Sequence, residues 1–125
     1  MAPWVHWGQR RLRSFRAAFA GFRHLVGTEQ NFRLHLGAAV GAVLAGGSLK
    51  FDYGEWLALV LLIGLVLTAE ALNTAIERLV SLLRPEVHPL ARAAKDTAAA
   101  GVLFASVTAA VAGLMMVGRH VGIWH

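Results

Sequence analysis

The sequence predicts an all-α membrane protein, in which an N-terminal amphipathic surface helix precedes three transmembrane helices. Two observations lead to this prediction. Of the 125 residues, 57% are apolar, with a mean hydropathy of +0.56, and the apolar residues gather into three long segments. A soluble chain of this size seldom carries so many apolar residues, so we expect lipid to be the solvent for most of it. We treat residues 1–125 as a single domain.

The surface helix is predicted over residues 9–27. Apolar side chains recur there at spacings of three or four residues, and arginines occupy the other faces of the helical wheel. This pattern is typical of a helix that lies in the headgroup region of a membrane. Most of those arginines would then only anchor the chain.

The three membrane spans are predicted over residues 32–51, 56–83 and 97–118. The first needs Phe32 and Phe51 to approach the roughly 20 residues that cross a bilayer. The second is about 40 Å long at 1.5 Å per residue, so one of its ends should protrude from the hydrocarbon. The third has no charged residue and is followed by Arg119 and His120.

The distribution of charge predicts the orientation of the chain. Six of the twelve Lys and Arg residues precede Leu34, and the segment 84–96 is also basic, whereas the segment 50–55 is acidic. The positive-inside rule therefore places the N-terminus in the cytoplasm and the C-terminus outside. Trp56 and Trp124 should lie at membrane interfaces. The N-terminal region stays charged for about thirty residues, unlike a signal peptide, so we expect no cleavage.

Composition also excludes some classes of function. A net charge of +5 would suggest nucleic-acid binding in a soluble protein, but here the basic residues flank membrane segments, and we expect no nucleic-acid partner. The chain has no cysteine, which excludes disulfides and thiolate metal sites.

Three polar residues interrupt the second span. Glu70, Asn73 and Glu77 share one face of the helix, and an ionisable side chain in a span costs at least about 2.5 kcal/mol, so a functional role is the default interpretation. Glu70 lies about 21 Å inward from Trp56, and Glu77 lies about 10 Å further. Glu70 is then placed to take a proton from a lipid hydroxyl, and Glu77 to hold Mg²⁺ at headgroup level. Alternatively, Glu77 forms an ion pair with Arg78, with Arg84 or with an N-terminal arginine.

Residues from other segments reach the depth of Glu77. Glu29 precedes the first span, and Lys95 and Asp96 precede the third, where the alternative interpretation of Asp96 is a helix N-cap. Together they offer oxygen ligands for Mg²⁺ and a cation for polyphosphate. The sequence has no P-loop motif, so a nucleotide site would be assembled from such residues. His35, within the first span, is expected to be a packed, hydrogen-bonded histidine.

These motifs resemble those of the prokaryotic integral-membrane diacylglycerol kinase and undecaprenol kinase family. Residues 70–77 match the pattern E-x-x-N-[ST]-A-I-E, and residues 94–96 match A-K-D at a family-like separation. Residues 29–35 resemble the E-x-N-F-R-x-H segment seen mainly in the undecaprenol kinase branch. The resemblance covers about residues 14–116.

The resemblance implies a homotrimer in a bacterial inner membrane, with active sites at subunit interfaces that transfer the γ-phosphoryl group of ATP to a lipid alcohol. By motif position, Glu70 is the general base, Asn73 positions the reacting groups, and Glu29 and Glu77 bind Mg²⁺. Glu70 and Arg33 contact the lipid substrate. The expected ATP contacts come from both ends of the chain: Arg10, Ala17, Glu29, Glu77, Glu86, Val87, His88, Lys95 and Asp96. At Ala17, some family members present a larger polar side chain to the nucleotide.

The acceptor is either diacylglycerol or undecaprenol. The segment 29–35 and the pair Asn73–Thr74 favour undecaprenol. A second hypothesis is a small oligomeric proton-coupled transporter, in which Glu70 binds substrate and proton in alternation. It leaves Glu29, Lys95 and Asp96 unexplained.

Overall fold

The protein is all-helical in the parts of the chain that the structure describes. The computed structural model describes residues 2–84 and 86–123, which contain no strands. The four helices are α1 (Pro3–Thr28), α2 (Gln30–Leu49), α3 (Tyr53–Leu83) and α4 (Pro89–His120). Helices α2, α3 and α4 are each long and apolar enough to cross a membrane. The predicted fold class is therefore confirmed.

Helix α4 begins two turns earlier than the predicted third span. His88 provides the N-cap, because its Nδ1 accepts the backbone N–H of Leu90 at 3.1 Å. Pro89 occupies the first helical position, where no N–H is required. Asp96 consequently lies inside the helix, and its interpretation as an N-cap is wrong. Trp124, which we expected at an interface, lies outside the described residues.

A sharp junction separates α1 from α2. Glu29 adopts extended backbone angles (φ −108°, ψ 109°), which ends α1 and allows α2 to start in a new direction. The rings of Phe22 and Phe32 pack edge to face at 5.9 Å across the junction. Arg33 Nη1 donates to the carbonyl of Val26 at 2.8 Å. These contacts attach the C-terminal turn of α1 to the first turn of α2.

The loop between α2 and α3 is compact. Lys50 takes the left-handed conformation (φ 59°), and the N–H groups of Lys50 and Phe51 both donate to the carbonyl of Gly46. A Cβ atom at Gly46 would lie 2.9 Å from the rings of Phe51 and Trp56. Only glycine therefore allows the two aromatic rings to pack against the end of α2.

Helix α3 starts with a capping box. Asp52 Oδ1 accepts the backbone N–H of Glu55 at 2.8 Å, and Glu55 Oε1 accepts the backbone N–H of Asp52 at 3.1 Å. The Glu55 N–H holds the pKa of the Asp52 carboxyl below its usual range. The capping box thus fixes the residue at which α3, the second membrane helix, begins.

All three long helices meet at this end of the bundle. His120, in the last turn of α4, places Nε2 2.8 Å from both carboxylate oxygens of Glu55. Its ring stacks on Phe51 at a centroid distance of 5.3 Å. We call Phe51 of the α2–α3 loop, Glu55 of α3 and His120 of α4 the three-helix clasp. Since Glu55 is buried, the clasp supplies the polar partner that an enclosed carboxylate requires.

The bundle exposes most of its apolar surface. Among the described residues, only five apolar side chains are buried: Phe32, Phe51, Leu59, Val66 and Ala105. Large side chains such as Leu61 of α3 and Phe104 of α4 are mostly exposed. A single chain therefore leaves its spans to be covered by lipid or by further copies of itself.

The clasp makes a testable contribution to stability. We expect His120→Ala to destabilise the protein by about 1–3 kcal/mol, because it deprives the buried Glu55 carboxylate of a hydrogen-bond partner. Thermal unfolding in detergent measures the loss. Arg119→Ala is the matched control, since Arg119 pairs with Asp52 across 3.5 Å in an exposed position. Equal unfolding temperatures for His120→Ala and the wild type would contradict the role of the clasp.

Candidate functional site

The predicted general base is buried and has one partner. Glu70 lies in the middle of α3 with 4% of its surface exposed. His35 of α2 places Nε2 2.9 Å from Glu70 Oε1. Among the described residues, His35 is the one side chain within hydrogen-bond distance of this carboxylate. His35 thus contacts a buried carboxylate that the sequence analysis did not foresee as its partner.

An apolar groove ends beside this pair. Helices α2, α3 and α4 enclose a volume of about 280 Å³, with His35 among its lining residues. Small residues of α2 and α4 line the walls: Ala38, Ala39, Ala42, Ala109, Ala110 and Gly113. Along α3 the groove extends from Leu59 to Leu67, about 12 Å, and Glu70 lies about 5 Å beyond Leu67. The groove therefore leads along the membrane interior towards the Glu70–His35 pair.

The groove contains a second polar group. The Oγ atom of Ser106, on α4, is buried and has no hydrogen-bond partner. The rest of the lining apart from His35 is apolar or glycine. A hydrocarbon chain matches this lining, and Ser106 adds one hydroxyl that can donate a hydrogen bond.

Oxygen atoms continue along α3 beyond Glu70. Asn73 Nδ2 donates to Glu77 Oε1 at 3.4 Å, and the Oδ1 atom of Asn73 is buried without a partner. The alternative ion pair of Glu77 is absent from the described residues, because Arg78 pairs with Glu29 and Arg84 pairs with Glu86. Asn73 and Glu77 therefore present oxygens that no basic side chain neutralises.

Glu29 is held by a basic residue of α3. Arg78 Nη2 donates to Glu29 Oε1 at 2.6 Å, and its Nη1 lies 2.8 Å from His24 Nε2. Arg78 also lies 3.4 Å from the hydroxyl of Thr28. Arg78 thus fastens the α1–α2 junction to α3 and brings Glu29 to the same end of the bundle as Glu77.

The oxygens at this end fit Mg²⁺ bound together with a polyphosphate. No group of three or more His, Asp or Glu side chains in the described ranges could hold a metal by itself. Mg²⁺ usually keeps several waters and binds through one or two carboxylates plus substrate phosphates. Glu77 supplies one such carboxylate, and Glu29 retains its Oε2 as a second.

The α3–α4 loop forms a small basic pocket of about 280 Å³. Its lining contains four predicted ATP contacts, Glu86, Val87, His88 and Lys95, together with Arg84, Ala91 and Arg92. Four of the predicted ATP contacts therefore lie together. Arg84 and Arg92 were not among the predicted ATP contacts, although their closeness to Lys95 in sequence could have suggested them.

The remaining predicted residues lie elsewhere. Arg10 and Ala17 are exposed on α1, and neither lines the loop pocket. Asp96 is exposed and follows the pocket residue Lys95. Arg33, predicted to contact the lipid, donates to Val26 within the α1–α2 junction. The structure thus brings seven of the predicted residues into two groups, with Glu70, Asn73 and Glu77 along α3 and Glu86, Val87, His88 and Lys95 in the loop pocket.

Comparisons with known proteins agree with these motifs. The sequence profile of the family described as prokaryotic diacylglycerol kinase matches residues 16–117. The chain is 39% identical over 107 residues to an undecaprenol kinase of Bacillus subtilis. The aligned region covers 86% of this chain and 87% of that protein.

Two diacylglycerol kinases are also similar. The protein from Synechocystis is 39% identical over 101 residues, which covers 80% of this chain and 58% of the relative. The protein from Helicobacter pylori is 36% identical over 75 residues, which covers 60% of this chain and 59% of the relative. The match to the undecaprenol kinase thus extends over a larger share of both chains.

Proposed function

Since the chain belongs to the prokaryotic diacylglycerol kinase family and is a membrane lipid kinase, we propose that it transfers the γ-phosphoryl group of ATP to undecaprenol, with Glu70 as general base. One observation carries this assignment of Glu70. The buried carboxylate lies at the end of an apolar groove, where a hydroxyl on a hydrocarbon chain would meet it.

The groove accounts for how the acceptor is held. A lipid alcohol enters by lateral diffusion, lays its hydrocarbon chain between α2, α3 and α4, and brings its hydroxyl to Glu70. Binding in this way places the nucleophile before the reaction begins, and such positioning supplies much of the rate in phosphoryl transfer. Arg33, close to this end of α2, is proposed to contact the lipid near its hydroxyl.

The phosphoryl donor is proposed to bind at the α3–α4 loop end. Lys95, Arg84 and Arg92 offer positive charge for the phosphates, and Glu86, Val87 and His88 form the wall of the loop pocket. Asp96, Arg10 and Ala17 would complete the nucleotide contacts. The residues on α1 have to approach from another subunit or by movement of α1, since neither lines the loop pocket of this chain.

Mg²⁺ is proposed as the cofactor. Glu77 and Glu29 would hold it, with Asn73 beside Glu77. When bound with ATP, the metal ion would neutralise charge on the phosphates during transfer. Asn73 also lies one helical turn from Glu70, so it is placed to orient the reacting groups between base and metal.

We further propose a homotrimer with active sites at the subunit interfaces. The exposed apolar surface of a single chain and the distance of α1 from the loop pocket both support this arrangement. The N-terminus and the α3–α4 loop would face the cytoplasm, where ATP is available, and the C-terminus would lie outside the bacterial inner membrane. The transporter hypothesis rests on Glu70 alone and has no support from the relatives.

Undecaprenol is proposed over diacylglycerol for two reasons. The undecaprenol kinase relative aligns over 87% of its length, whereas the two diacylglycerol kinases align over 58% and 59% of theirs. The groove is also nearly all apolar, which suits a prenyl chain that carries no ester groups.

Loss of the base should abolish transfer. We expect Glu70→Ala to reduce phosphorylation of lipid alcohols by about 10²-fold or more, while the oligomer remains folded. Glu55→Gln is the matched control, because Glu55 is the other buried carboxylate of α3 and lies in the clasp. Phosphate transfer from radiolabelled ATP in mixed micelles gives the rates. Full activity of Glu70→Ala would refute its assignment as base.

Loss of either metal ligand should weaken nucleotide binding. We expect Glu29→Ala and Glu77→Ala to raise the Mg²⁺ and ATP concentrations needed for half-maximal activity, by about tenfold or more. The effect should be larger at Glu77, because Arg78 already neutralises Glu29. Asp52→Asn, at the opposite end of α3, serves as the control. Unchanged binding of Mg-ATP in both variants would remove the metal site from this position.

The acceptor can be identified by direct competition. We expect undecaprenol to be phosphorylated with a higher kcat/KM than diacylglycerol when both are present in the same micelles. Ser106→Ala should leave the rate with undecaprenol unchanged, since a prenyl chain has no carbonyl to accept a hydrogen bond from Ser106. A higher kcat/KM for diacylglycerol, lowered by Ser106→Ala, would instead identify an ester lipid as the acceptor.

A further inference from the structure

The Glu70 carboxylate depends on a histidine from another helix. In the described part of the chain the polar side chain in contact with it is His35, whose Nε2 lies 2.9 Å from Oε1. Residue Glu70 is 4% exposed, whereas the side chain of His35 is 29% exposed. The carboxylate is therefore enclosed by protein on most sides, whereas His35 also lines the groove.

A carboxylate with one partner has one oxygen fixed and one oxygen free. His35 contacts Oε1, so Oε2 is the atom left to accept a proton from a substrate. Without His35, the side chain of Glu70 would be free to rotate about its χ angles, and the buried carboxylate would lack the hydrogen bond that its burial requires. The direction of Oε2 and its availability to accept a proton then depend on His35 of α2.

We propose that His35 is the positioning residue of the general base, in that its Nε2–H donates to Glu70 Oε1 and directs Oε2 towards the acceptor hydroxyl. This inference rests on the proposed function of Glu70. It adds a residue of α2 to a proposed active site whose base and nucleotide contacts lie on α3 and in the loop pocket. His35 itself neither gains nor loses a proton.

With His35 in this role, the bonds formed and broken and the proton of the transfer step are all accounted for. The hydroxyl oxygen of the lipid forms a bond to the γ-phosphorus of ATP, and the bond from that phosphorus to the oxygen bridging to the β-phosphate breaks. The hydroxyl proton passes to Glu70 Oε2, and ADP leaves. Glu70 then releases the proton to water, which restores the carboxylate for the next cycle.

A matched pair of variants tests whether the position of the hydrogen-bond donor at residue 35 matters, apart from the presence of a donor. Glutamine and asparagine both carry an amide N–H donor, but the glutamine amide lies near the position of Nε2, while the asparagine amide is shorter by one methylene. We expect His35→Gln to keep kcat within a few-fold of the wild type. We expect His35→Asn and His35→Ala to lower kcat by about 10- to 100-fold.

The measurement is steady-state transfer from Mg-ATP to undecaprenol in micelles, with kcat and both KM values determined for each variant. A positioning role lowers kcat and leaves the KM for Mg-ATP unchanged, because the nucleotide residues lie in the loop pocket. General loss of folding would instead lower the amount of active oligomer in all three variants. Size-exclusion chromatography, run on each preparation, distinguishes these cases.

Several outcomes would overturn the inference. Wild-type kcat in His35→Ala would show that Glu70 needs no partner, and equal impairment of His35→Gln and His35→Asn would show that the donor at Nε2 does not matter. Either result leaves the proposed kinase function intact. A wild-type protein that phosphorylates no lipid alcohol would refute the proposed function and this inference together.

Discussion

Two carboxylates buried in one apolar helix constrain the whole bundle. Glu55 and Glu70 lie about 22 Å apart along α3, and each is less than one-tenth exposed. An enclosed carboxylate is tolerated only with a polar partner, and lipid offers none. In both cases the partner is a histidine from another helix: His120 of α4 for Glu55 and His35 of α2 for Glu70. The two contacts fix α4 and α2 against α3 at different levels.

The Glu55–His120 and Glu70–His35 pairs nevertheless differ in how many contacts their carboxylate oxygens make. Both oxygens of Glu55 lie 2.8 Å from His120, and Oε1 also accepts the N–H of Asp52, so its bonding capacity is largely used. Among the described residues, Glu70 has one polar contact, on Oε1, and it lies beyond the end of a groove of about 280 Å³. A satisfied carboxylate stabilises a fold, whereas a partly satisfied one can accept a proton from a ligand. The same residue type in the same helix thus stabilises the fold at one end and has the proposed catalytic role in the middle.

The sequence predicted the features that depend on one helix at a time. Hydropathy and helical spacing identified four helices and the shared face of Glu70, Asn73 and Glu77, because these follow from local periodicity. The start of α4 was missed, since a histidine N-cap at His88 is an uncommon signal compared with Ser, Thr, Asp or Asn.

The contacts between helices could not be predicted in the same way. Arg78 follows Glu77 in sequence, yet its side chain leaves α3 about 100° further round the helix axis and pairs with Glu29, far away along the chain. The partner of His35 likewise depends on how α2 crosses α3, which no single-helix pattern encodes. Hydropathy gives the positions of the spans, but it carries no information on their rotation about their own axes. Polar pairs between spans are therefore the part of such a site that needs a structure.

The order of the groups along α3 gives the proposed reaction a direction. From the groove outward, the helix presents Glu70, then Asn73, then Glu77, within about 10 Å. The apolar groove leads towards Glu70 from one side, and the basic pocket lies at the loop end of α3 beyond Glu77. In the proposed reaction the nucleophile and the leaving group would then lie on opposite sides of the transferred phosphorus, as in-line displacement requires. In this proposal one helix sets both the depth of the base and the path of the phosphoryl group, and the histidine of α2 sets the direction in which that base points.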